Sequence, residues 1–184
     1  MQYELTTPCT AADLAPLKAG DTVLLSGVVY TARDQAHKRM LEALDRGEKL
    51  PFDLEGSAIY YVGPTPERPG EVIGSAGPTT SGRMDAMSPR LLDLGNKIMI
   101  GKGKRDAAVK EAVVRNGAVY LAALGGAGAL MAKSVKTLEV IAWPDLGCEA
   151  VRRLTVEQMP LTVILDAHGG DLYLSGPEAY RASR

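Results

Sequence analysis

Two hydrophobic periods alternate along the chain. The run 22-TVLLSGVVYTA-32 is apolar and β-branched, with Gly27 inside it, and predicts a buried strand. In 35-QAHKRMLEALDRG-47 the apolar residues Ala36, Met40, Leu41 and Leu44 fall at helical spacing, with Asp34 as N-cap and Gly47 as stop. Further strands are predicted in 58-AIYYVGPTP-66, which runs into a proline-rich loop, and in 71-EVIGSAG-77, 97-KIMIGKGK-104 and 118-AVYLAAL-124. Between them, 82-GRMDAMSPRLLDLG-95 reads as short helical pieces around Pro89, and 105-RDAAVKEAVVRNG-117 as an amphipathic helix with a glycine stop. A short capped helix and turn occupy residues 10–21, and 125-GGAGALMAKSV-135 is a glycine loop opening another short helix.

The last third is mostly strand. 135-VKTLEVIAW-143 alternates, 151-VRRLTVEQM-159 and 161-LTVILDA-167 read as two strands, and His168-Gly169-Gly170-Asp171 as a hairpin turn returning through 172-LYLS-175. The pattern amounts to about eight strands and four or five helices, an α/β arrangement with helices on a mixed sheet and a β-rich final portion. No internal repeat or low-complexity tract interrupts it, and its 184 residues predict one domain over 1–184.

Composition narrows the classes. A 46% hydrophobic and 23% charged chain is an ordinary globular one. At this length it buries roughly 70% of its unfolded surface, so folding requires neither disulfide nor metal. With 21 basic against 22 acidic residues there is no footprint for nucleic acid or an anionic membrane. One Trp and one Phe beside 20 Gly imply tight turns and close backbone approaches rather than an aromatic core. MQYELTTPCTAADL has neither the basic start nor the apolar run of a signal peptide, and no window approaches the ~20 apolar residues of a membrane span. A cytoplasmic location is the expectation. Cys9 and Cys148 cannot make a four-cysteine zinc site or a self-contained cluster with three or four thiolates, and each reads as a small buried apolar residue. His37 and His168 do not amount to an all-histidine metal site.

Three places set polar groups beside glycine. In 31-TARDQAHKR-39, Arg33, Asp34, His37 and Lys38 lie at a strand-to-helix junction, where α/β folds place ligand clefts; a solvated first helical turn is the plainer reading. In 76-AGPTTSGRMDAM-87, Gly77 and Pro78 set a turn, Thr79 and Thr80 offer hydroxyls, and Arg83 has the planar fork that pairs with a carboxylate. The plainer reading there is a capped helix with Arg83 on Asp85 or solvent. In 100-IGKGKRD-106 a lysine sits between glycines at a strand tip, without Walker spacing; a surface turn is the alternative. The 125-GGAGA-129 run lacks the acidic residue of a dinucleotide fold and reads as helix–sheet packing. If Arg33, Arg83 and Lys102 converge, they suit a small dicarboxylate. A separate enzyme built on Cys148 or His168 has little support: Cys148 has no flanking base and no helix start before it, and His168 falls in the HGGD turn, where solvent exposure is the plainer reading.

The segments GVVYTARDQAHKR, GPTTSGRMD, IGKGKRD, YLAALGGAGALMAKSVK and WPDLGCEAVRRLTVEQMPLTVILDAHGGDLY resemble, in order, the β subunit of class I, iron–sulfur-dependent hydro-lyases: fumarate hydratase and L(+)-tartrate dehydratase. The resemblance covers roughly residues 3–180 and is most specific in the GPTTxxRMD and RDxAHKR blocks. It implies a swivelling β/β/α domain and reversible addition of water across the double bond of a C4 dicarboxylate. It also implies a [4Fe–4S] cluster held by three cysteines of a partner α subunit, acting as a Lewis acid. By motif match Arg33, Arg83 and Lys102 are implied as substrate-carboxylate binders, with Lys104 an alternative to Lys102. Thr79 is implied as an acid/base participant, and Asp34, His37 and Thr80 as secondary contacts. The expected assembly is an αβ pair, in a dimer of pairs, inactive as an isolated chain. Fumarate is the expected substrate and tartrate the variant. The competing reading is a stand-alone dicarboxylate-binding module.

Overall fold

A computed structural model of the chain describes residues 1–183. Among these, seven strands form one mixed sheet. β1 (Gln2–Thr7) lies parallel to β2 (Thr22–Thr31), and β2 to β3 (Ala58–Tyr60). β3 is parallel to β4 (Ile98–Gly101), and β4 to β5 (Val119–Ala122). The long β7 (Val151–Leu165) runs antiparallel to β2 along one edge; its other edge pairs antiparallel with β6 (Val135–Ala142) in its first half and with β5 near its end. Because β7 pairs with both β5 and β2, the set β2-β3-β4-β5-β7 closes into a barrel, flanked by β1 and β6.

Alternation along the strands builds two cores. Ala58, Tyr60, Ile98, Ile100, Val119 and Leu121 join Val23, Leu25 and Val29 of β2 and Leu154, Met159 and Val163 of β7 in one. The intervening Ile59, Met99 and Tyr120 form the second, beneath α2 (Asp34–Asp45), α3 (Ser88–Asp93) and α4 (Ala107–Arg115). Burial on both faces is why β3, β4 and β5 read as unbroken apolar runs. α1 (Ala11–Leu14) carries the full capping box, with Thr10 and Asp13 exchanging bonds, and α5 (Gly128–Lys133) follows the glycine loop.

Several expected elements differ. The two strands expected at 151–159 and 161–167 are one strand. A bulge absorbs the irregularity: Gln158 has φ +50°, and its N–H donates to the Ser26 hydroxyl at 3.0 Å. The returning strand expected at 172–175 is instead α6 (Leu172–Ala182), because Asp171 caps it by accepting from the Tyr173 N–H at 2.9 Å. Only an isolated bridge between Leu165 and Asp171 remains of the hairpin. The strand expected at 71–77 is a loop folded onto Thr65, whose N–H donates to the Ser75 carbonyl and whose hydroxyl accepts from the Ser75 N–H.

Since β2, β3, β4 and β5 are parallel, their carboxyl ends share one edge of the barrel. In α/β sheets that edge carries the ligand sites. All three polar blocks leave from it.

Candidate anion-binding site

The first block starts where β2 ends. Arg33, not Asp34, occupies the N-cap position of α2, and its side chain makes no cap bond; Asp34 is the first helical residue. The cap comes from far along the chain. Glu149 Oε2 accepts the Gln35 N–H at 2.9 Å, and Glu149 Oε1 stands 3.4 Å from Arg33 Nη2. Glu149 closes a 3-10 turn at Pro144–Glu149, which Arg152 fixes by donating to the carbonyls of Gly147, Cys148 and Ala150. Gly63, just past β3, leaves the Arg33 guanidinium its place: a Cβ there would lie 2.6 Å from Nη1.

His37, one turn into α2, is fully buried. Its Nδ1 donates to the Arg33 carbonyl at 3.0 Å, which leaves Nε2 as the bare acceptor in the neutral ring. The ring meets Tyr61 edge-on at 5.3 Å. Burial, with the Arg105 charge adding to it, pushes its pKa down to about 4. Arg33 Nε, Asp34 Oδ1 and His37 Nε2 are all buried without a partner. All three lie in this one block.

The second block is stitched to the first and third. Arg83 Nη1 lies 3.8 Å from Asp34 Oδ2, not on Asp85. Thr79 is held through its N–H on the Tyr61 carbonyl at 2.8 Å. Thr80 bridges Lys102 in parallel fashion. The Ser81 N–H donates to the Lys102 carbonyl at 2.9 Å, and the Lys102 N–H to Ser81 Oγ at 3.0 Å. Ser81 Oγ also accepts from the Tyr120 hydroxyl at 2.9 Å. Asp85 turns inward: Arg105 Nε donates to its Oδ1 at 2.6 Å, and the Asp106 N–H to its Oδ2 at 2.7 Å.

Arg33, Asp34, Thr79, Thr80, Arg83 and Lys102 therefore share one edge, with His37 beneath them. Lys102 and Lys104 are exposed, and neither has an ion-pair partner among the described residues. Arg83 is 54% exposed, so its fork is available to a ligand. The residues that sequence reasoning missed are the supports: Glu149, Arg152, Asp85, Arg105, Ser81 and Tyr120. A groove of about 450 Å³ between the 65–75 loop and α5 contains none of the site residues.

The donor set does not fit an iron–sulfur cluster. Cys9 is buried with Sγ on the Thr6 carbonyl, and burial pushes its thiol up to about 11. Cys148 is exposed, not buried as expected: it lies on the Pro144–Glu149 turn, none of whose residues is buried. Two thiols cannot supply three thiolate ligands, and among the described residues no group of three His, Cys, Asp or Glu could hold a metal ion.

Fold and site together define an α/β barrel whose parallel strands present a cationic cluster at their carboxyl ends. The chain belongs to the Fumarase C-terminus family, which it matches over residues 1–176. It is 40% identical over 166 residues to fumarate hydratase 2 of Leishmania major, covering 87% of this chain but 28% of that protein. It is 43% identical over 170 residues to a putative L(+)-tartrate dehydratase subunit beta of Methanocaldococcus jannaschii, covering 89% and 87%. To the L(+)-tartrate dehydratase subunit beta of Escherichia coli strain K12 it is 33% identical over 189 residues, covering 100% and 92%. The chain thus spans under a third of the fumarate hydratase it matches and most of the two named subunits. No helix among the described residues is long and apolar enough to cross a membrane.

Proposed function

We propose that this chain is the β subunit of a class I, iron–sulfur-dependent hydro-lyase. It hydrates fumarate reversibly to malate with a cluster-bearing α subunit, as one domain in a cytoplasmic αβ dimer of pairs. The observation that supports this best is the linkage of the three polar blocks: Arg83 to Asp34, and Thr80 and Ser81 to Lys102, at the carboxyl edge of the parallel strands.

On this reading Arg33 and Arg83 receive the substrate carboxylates through charge-assisted bonds, each worth roughly 1.5–3 kcal/mol. Lys102 adds a point charge from the β4 tip. Thr79 presents its hydroxyl for proton transfer, its backbone fixed on Tyr61. A free threonine hydroxyl is far too weak an acid to ionise near neutrality, so a carboxylate of the partner must share that step. Asp34 and Thr80 orient the cations, and His37 supports Arg33 from below as a neutral ring. This chain supplies no cluster ligand, and the [4Fe–4S] group belongs to the α subunit.

L(+)-tartrate is the second reading. The near full-length match to two proteins named as tartrate dehydratase β subunits favours it. Co-expression under anaerobic conditions with a neighbouring frame bearing three spaced cysteines tests both, assaying fumarate hydration and L-tartrate dehydration with and without Arg83→Ala. Fumarate turnover abolished by the substitution supports the first reading, and turnover of tartrate alone the second. No complex and no activity would leave a dicarboxylate-binding module.

A further inference from the structure

We infer that Glu149 is a positioning residue for Arg33, holding the guanidinium in the pose that receives an anion. The identity of that anion rests on the hydro-lyase reading above. Arg33 follows the last residues of β2 and lacks any cap bond of its own, so nothing local orients its long side chain. Two features confine it. Gly63 gives it room on one side, and Glu149 faces Nη2 on another, with the Arg33 and Glu149 side chains only 19% and 18% exposed.

The carboxylate is itself fixed. Its second oxygen accepts the Gln35 N–H, a charge-assisted bond at the positive end of α2. Its backbone belongs to the turn that Arg152 clamps by three carbonyls. Arg152 is thus tied through the turn to Glu149, and Glu149 to Arg33. Glu149 Oε1 stands 3.4 Å from Arg33 Nη2 while Nε has no partner, so the guanidinium is oriented without being saturated. A competitor lodged in the substrate's place would be expected to take the fork in bidentate fashion.

Glu149→Gln and Glu149→Ala separate the two roles of this carboxylate. The glutamine keeps one acceptor for the Gln35 N–H but turns an amide toward Arg33; alanine loses both contacts. Side-chain 15N relaxation of Arg33 Nε in the full chain reads the positioning without substrate. Both variants are expected to release Arg33, its order parameter dropping below about 0.6, while only alanine lowers Tm. In the assembled complex both are expected to raise KM for the dicarboxylate by about tenfold, with a smaller change in kcat, as loss of a supporting partner generally does. An Arg33 that stays ordered in Glu149→Gln with KM unchanged would make Glu149 a helix cap and nothing more. A fall in KM would make it a competitor of the substrate, and would equally overturn the inference. A wild-type complex inactive on both dicarboxylates would sink the hydro-lyase reading, while the relaxation measurement would still decide the positioning.

Discussion

Arg105 and Asp85 join two blocks that lie 20 residues apart: Nε donates to Oδ1 at 2.6 Å, and the arginine side chain is fully buried. The guanidinium lies 5.3 Å from the Tyr61 ring and 5.0 Å from that of Tyr120, and it reaches Ser88 Oγ at 2.9 Å. Its charge is therefore structural, set under the Arg83 turn and the Lys102 loop. Removing one partner leaves the other charge buried and alone. Asp85→Asn and Arg105→Met are each expected to cost roughly 3–5 kcal/mol in urea unfolding, and the double variant less than their sum.

The two lysines beyond β4 are expected to behave differently. The Lys102 backbone is bridged to that of Thr80, the residue after Thr79, whereas no such bridge holds the Lys104 backbone. In the assembled enzyme Lys102→Ala should lower kcat/KM roughly 10- to 100-fold, with Lys104→Ala close to wild type. Parallel kinetics of the two variants check this, and the opposite ranking would move the substrate lysine to 104.

His37 predicts a pH dependence of stability. Its folded pKa of about 4 lies below the free value of 6.5, so the unfolded chain binds the proton first. The neutral ring's contribution is complete above pH 6.5 and is lost as pH falls toward 4, about 3 kcal/mol in all. Carboxylates titrate nearby, so the comparison is with His37→Asn, which keeps a donor for the Arg33 carbonyl. The urea midpoint of the variant should fall less steeply between pH 6.5 and 4.

Gly63→Ala tests the room given to Arg33. The added methyl would press on the far end of a flexible side chain, and otherwise stand 3.3 Å from the Cys148 carbonyl. Tm should move by no more than a few degrees for a change of under about 1 kcal/mol, while KM rises. A large loss of Tm with KM intact would show the contact to be structural only.

The cysteines differ in reactivity. Cys148 is exposed and Cys9 is buried with its pKa pushed up to about 11. Ellman's reagent should find one fast thiol in the native chain and both in denaturant.

Local patterns made β2 to β6, α2 and α4 legible, because each is a stretch whose period and stop signals lie within its own residues. The polar blocks were legible for the same reason: glycine, hydroxyl and cation types crowd into a few positions. The closed sheet was not, since a period of two says which face is buried and nothing about which strand lies alongside. β7 read as two strands because Pro160 resembles a break, whereas the bulge at Gln158 carries the chain through. α6 read as a strand because the HGGD stretch before it reads as a hairpin turn, while the capping carboxylate of Asp171 decides otherwise. Asp34 looked like the cap of α2. The true cap, Glu149, sits 114 residues beyond Gln35, and no local signal points to it.

Barrel closure also orders events during synthesis. β2 is among the first strands to leave the ribosome, yet its second edge waits for residues such as Arg152, whose N–H bonds the Thr31 hydroxyl across 121 residues. Until β7 emerges, that edge is an open row of donors and acceptors, and the Glu149 that flanks Arg33 does not yet exist. A nascent or truncated chain ending before β7 would carry every cation of the cluster and still present an unpaired β edge to its neighbours.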